Sequence, residues 1–96
     1  TEPMTECTGR IVQAAAGRDK GRIFCVVGLD REGQRLLLAD GKRRKWARPK
    51  AKKLGHVRFF TDGFDHPAIQ KLKQGKALSD RELRRALAAF RDQLEV

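Results

Sequence analysis

The sequence predicts a mainly β fold: a small closed β-barrel over residues 7–60, followed by a linker and a C-terminal helical appendage over 61–96. Three observations lead there. Between residues 9 and 60, short apolar runs rich in β-branched residues are separated by Gly- and Asp-containing turns. After residue 61 the apolar spacing changes from strand-like to helical. The chain has 96 residues, enough for one domain and too few for a second. A closed barrel is preferred to an open sheet because closure leaves no exposed strand edge.

Residues 1–6 read as a flexible N-terminus, and the absence of Met at Thr1 suggests trimming or processing. GRIVQAA (9–15) is the first expected strand, and AGRDKG (16–21) is a tight turn of two glycines around three charges. RIFCVVGLD (22–30) is the strongest strand signal. Ile23, Cys25, Val27 and Leu29 are expected on one face and Phe24 and Val26 on the other, and two apolar faces predict a central strand. REGQ (31–34), with Gly33 available for positive φ, connects to RLLLAD in a hairpin. After the Asp40-Gly41 turn, KWAR (45–48) is expected as a short strand that ends at Pro49 or lies on an edge. HVRFF (56–60) completes five strands, with one of its two Phe pointing inward. TDGFDHP is a linker, and Asp65 with Pro67 opens a short helix carrying Ile69 and Leu72, closed by Gly75. SDRE (79–82) is a capping box, and Leu83, Ala86, Leu87, Phe90 and Leu94 define an amphipathic helix over 80–94. Whether that stripe packs on the barrel or on a partner is open from sequence.

The net charge of +10 is unevenly placed. Residues 1–60 hold fifteen Lys or Arg and six acids, whereas 61–96 hold seven and six. KRRKWARPKAKK (42–53) concentrates eight of these cations without an acid. Such a field suits a polyanion, nucleic acid first. A merely solvated charged loop is the bland alternative, but eight mutually repelling cations with no acidic counterpart favour a binding face. Cys7 and Cys25 lack CxxC or metal spacing and read as reduced thiols, with Cys25 a small buried side chain. No run of about 20 apolar residues could span a bilayer, and the expectation is a soluble cytoplasmic protein. His56, His66 and Asp19 have no nucleophile or carboxylate at a meaningful spacing, and there is no phosphate loop of the Walker type. The chain therefore reads as a non-enzyme without cofactor or metal. Asp19 is expected to tie its loop or cap a turn.

GRIVQAAAGRDKGRIFCVVGLD (9–30) resembles the KOW motif: a strand, a turn built on Gly17 and Gly21, and a second apolar strand. LLLADGKRRKWARPKAKKLGHVRF (36–59) is similar to the second half of the eukaryotic- and archaeal-type large-subunit ribosomal KOW proteins. It is similar also to their short bacterial RNA-binding relatives, which carry a helical tail like DRELRRAL. The likeness covers 7–60 well and the tail loosely. It implies an SH3-like barrel that binds RNA, ribosomal RNA foremost, as a monomer that associates with the large ribosomal subunit in translation. A KOW motif also occurs in transcription elongation factors, so an adaptor that binds a protein partner is the alternative.

In the family the first turn and the basic loops contact RNA. Together with the charge pattern this gives the candidate set Arg18, Lys20, Arg22, Lys42, Arg43, Arg44, Lys45, Trp46, Arg48, Lys50, Lys52, Lys53 and Arg58. Trp46 departs from the family pattern and is argued from chemistry alone. It could stack an unpaired base or fill a small core, and the tendency of Trp to be buried favours the core. Arg81, Arg84, Arg85 and Arg91 alternate with acids and read as a solvated helix face.

Overall fold

The computed structural model describes residues 7–30, 32, 34–60 and 65–94. The expected loose N-terminus, the Gly33 turn position, residues 61–64 of the linker and Glu95 lie outside them. Strands β1 (Ile11–Ala14), β2 (Ile23–Leu29), β3 (Arg35–Ala39), β4 (Lys50–Lys53) and β5 (Val57–Phe59) precede helices α1 (Pro67–Lys73) and α2 (Asp80–Leu94). The strands form one antiparallel sheet in the order β4-β3-β2-β1-β5. The mainly β expectation holds at this level, and β2 lies at the centre, as its two apolar faces require.

Two corrections follow from the ladder. The fourth strand is KAKK, not KWAR: Lys45–Arg48 form a turn closed by the Arg48 N–H on the Lys45 carbonyl (2.9 Å), and pairing starts only after Pro49. Pro49 has no N–H to give the ladder, so it stands outside the strand rather than within it. The second correction concerns Leu29. The β2–β3 register slips between Val26 and Gly28, leaving Val27 as an extra residue. A one-residue bulge inverts the alternation beyond it. Leu29 therefore joins the face of Phe24 and Val26, while Ile23, Cys25 and Val27 remain on the other.

Each sheet face has its own core. On one, Ile11, Cys25 and Ala39 meet Ala68, Ile69 and Leu72 of α1 and Leu83, Ala86, Leu87 and Phe90 of α2. On the other, Val12, Ala14, Phe24, Val26, Leu36 and Leu38 pack together, with Val57 and Phe59 beside them. Fully burying one such Leu, Ile or Phe stabilises by about 1.5 to 3 kcal/mol, so both faces contribute to holding the sheet. Phe59 and Phe60, adjacent in sequence, serve opposite cores, and the Phe60 ring lies 5.5 Å from that of Phe90. Burial pushes the Cys25 thiol up to about 12, which leaves it an unreactive packing group.

The helices start as their sequences dictate. The Ser79 hydroxyl accepts from the Glu82 N–H and the Glu82 carboxylate accepts from the Ser79 N–H, both at 3.1 Å, a closed capping box. Glu82 also receives Lys71 Nζ at 2.7 Å, which ties α2 to α1. The cap of α1 is His66, whose Nδ1 accepts from the Ala68 N–H. Asp65, expected there, instead receives the Gln70 side chain. Gly75, at φ +80°, follows α1 as expected. The helical appendage thus packs in cis on the sheet. Only Leu94 of its stripe stays exposed.

Candidate nucleic-acid interface

The basic run folds because Asp40 organises it. At the exit of β3 its Oδ1 accepts the backbone N–H groups of Lys42 (2.9 Å), Arg43 (3.0 Å) and Arg44 (2.9 Å). In return the Asp40 and Gly41 N–H groups donate to the Arg44 carbonyl at 2.9 and 3.1 Å. Successive backbone N–H groups can cradle an anion, but here the Asp40 carboxylate already fills that role. Any external anion must be met by side chains, and Lys42, Arg43, Lys45 and Arg48 are all exposed.

A second carboxylate joins this loop to the Gly17–Gly21 turn. Asp19, only 5% exposed, receives Arg44 Nη2 at 2.8 Å and Arg44 Nε at 3.2 Å on the same oxygen. Desolvation pushes the Asp19 carboxyl up. The Arg44 hydrogen bonds and charge, helped by Lys52 and Arg22, outweigh it and hold the group below its ordinary value. Arg18, Lys20 and Arg22 around it stay exposed. Arg18, Asp19, Arg43 and Arg44 line a groove of about 420 Å³. A second groove of about 330 Å³, bounded by Arg43, Arg44, Lys45, Ala47 and Arg48, shares Arg43 and Arg44 with it. Two segments 25 residues apart thus share one cationic surface.

The loop is anchored on its other side by α2. The Trp46 N–H donates to Asp80 Oδ1 at 2.7 Å, and Arg84 Nη1 donates to the Gly41 carbonyl at 2.6 Å. The Trp46 ring is half-buried against the helix-side core, so it serves as a packing strut, the role favoured from sequence.

Of the thirteen candidates, Arg18, Lys20, Arg22, Lys42, Arg43, Lys45 and Arg48 are exposed on the two joined loops, and Lys50 and Lys53 are exposed on β4. Arg58 is exposed on β5, at the opposite end of the strand order. The other three have partners within the chain: Arg44 pairs with Asp19 while lining both grooves, the half-buried Trp46 ring packs against the helix-side core, and Lys52 is 9% exposed with its ammonium on the Ala16 carbonyl at 2.6 Å. Lys52 is buried because it sits opposite Leu36, whose side chain belongs to the core on the face of Phe24 and Val26. Sequence reasoning missed Asp80 and Arg84 as anchors of the loop and read Arg84 as a solvated cation. Nothing local marks a partner 34 or 43 positions away.

His56 is exposed and His66 caps a helix. Among the described residues no group of His, Cys, Asp or Glu could hold a metal ion, and no helix is long and apolar enough to cross a membrane. Comparison of the sequence with models of known protein families, and with curated proteins, finds no match.

Proposed function

We propose that this chain is a non-catalytic RNA-binding module of the KOW type, an SH3-like barrel that associates with the ribosome through ribosomal RNA. The observation that carries the reading is the Asp19–Arg44 ion pair. It joins the turn and the basic loop, the two segments the KOW resemblance assigns to RNA, into one rigid cationic surface. A surface built from side-chain cations meets phosphates and fixes position rather than reading bases.

Barrel closure is supported by the wiring. β5 follows β4 after only the Leu54–His56 3-10 turn, yet pairs with β1 at the far end of the order. Lys52 reaches the Ala16 carbonyl, and the Ala15 N–H donates to the His56 carbonyl at 2.8 Å. These bonds bring the last turn of the β4 side against the end of β1. A face whose fully buried side chains all come from the strands is what a closed barrel supplies.

The test is RNA affinity against salt. With five phosphates neutralised, log K is expected to fall against log salt with a slope of about −3.5 to −4.5. A slope near zero would sink the proposal. Sedimentation of a lysate at low and high salt tests the setting: the protein is expected with the large subunit at low salt and free at high salt. Association that survives nuclease and high salt would instead point to a protein partner, the adaptor role of elongation-type KOW domains.

A further inference from the structure

We infer that the RNA track does not end at the loops but runs along β4 to a second phosphate contact made by Arg35 and Lys53. This inference rests on the RNA-binding reading above. Arg35 and Lys53 are direct partners in the β3–β4 ladder, and both are exposed. Residues directly opposite project from the same face, and like charges there repel. A phosphate between them turns that repulsion into attraction. The nearby Asp30 carboxylate is committed to the backbone N–H groups of Gln34 (3.0 Å) and Arg35 (3.2 Å). Among the described residues neither cation has an ion-pair partner.

Protection of a sheet edge by charge would account for a lysine on β4. It does not account for Arg35, because β3 is paired on both sides. At roughly 3.4 Å per residue, Lys53 lies about 14 Å from Pro49 at the end of the basic loop. Lys50, opposite Leu38, belongs to the other face of the strand, and Ala51 is the residue that shares the face of Lys53, so the Arg35–Lys53 pair is a contact separate from the loop. One phosphate cannot touch the loop groove and the Arg35–Lys53 pair together, so the ligand is a strand of several nucleotides.

The test uses the full chain and a labelled RNA hairpin of about 20 nucleotides, titrated between roughly 50 and 200 mM salt. The double variant R35Q/K53Q is expected to bind with a slope shallower by about 0.7 to 0.9, as for one lost phosphate contact. Its free form is expected to melt at the wild-type temperature or above, because a repulsion has been removed. R35K/K53R should restore the slope. The loop variant K42Q/R43Q/R48Q separates the two claims. If it flattens the slope while R35Q/K53Q does not, the second contact is refuted and the RNA-binding proposal stands. If neither changes the slope, both fall. A lowered melting temperature in R35Q/K53Q would also overturn the inference, since the pair would then be structural.

Discussion

Arg44→Ala is expected to lower stability by about 2 to 3 kcal/mol, far more than Arg43→Ala next to it, which should stay within about 0.5 kcal/mol. Removing Arg44 leaves the Asp19 carboxylate, only 5% exposed, without a hydrogen-bonding cation and with only the charges of Lys52 and Arg22 against its desolvation. Breaking a fully buried pair costs about 3 to 5 kcal/mol. The Arg44 side chain is itself 32% exposed, so water can partly replace it and the lower figure applies.

The pH dependence has a definite sign. Asp19 is held below its ordinary value of 3.8 in the folded protein. The unfolded chain therefore takes up its proton first as pH falls. The pair's contribution is present above 3.8 and is lost as pH drops through the lowered folded value. Without Arg44, desolvation is opposed only by the charges of Lys52 and Arg22, the folded carboxyl moves up, and acid unfolding should begin at higher pH. Urea denaturation at neutral pH and an acid titration of Trp46 fluorescence measure both effects. The double variant D19A/R44A should recover part of the loss, because removing both partners costs less than stranding one. Wild-type stability in Arg44→Ala would show that the pair does not hold the loops together. On the RNA-binding reading, affinity should fall further than for Arg43→Ala, since the two loops lose their common geometry.

What the sequence could reveal divides by range. The central strand was legible because RIFCVVGLD is apolar on both faces, and α2 was legible because Ser79 and Glu82 cap it within one turn. Both signals are local. The fourth strand was not, because lysines occupy three of its four positions and hide which face is inward. Lys52 is buried only because the register sets it opposite Leu36. The bulge at Val27 had one local mark, Gly28 inside the strand run, and it sent Leu29 to the other face. At the site, the cations were legible as composition. Their arrangement was not: Asp19 finds Arg44 25 positions away, and Asp80 finds Trp46 34 positions away. Such pairs form only after the sheet and helix have fixed where each segment lies.

The same dependence makes Gly41 the most sensitive turn position, and Gly41→Ala is expected to cost about 3 to 4 kcal/mol. Two penalties add. Gly41 has φ +78°, a left-handed conformation that costs other residues about 1 to 2 kcal/mol. A Cβ there would also lie 2.2 Å from the Asp80 carbonyl oxygen and 3.0 Å from its carbon. These are backbone atoms that cannot swing aside, so the start of α2 must move off the loop. That movement stretches the Asp80 bond to the Trp46 N–H and the Arg84 bond to the Gly41 carbonyl together. Gly21→Ala supplies the control: its φ is +89°, but nothing lies within 4 Å of the added Cβ, so only the conformational penalty of about 1 to 2 kcal/mol applies. Denaturation followed by Trp46 fluorescence compares the two. Equal losses would mean that the contact between loop and helix contributes nothing. A larger loss for Gly41, with a Trp46 emission shift before unfolding, would identify α2 as the brace that keeps the basic loop in shape.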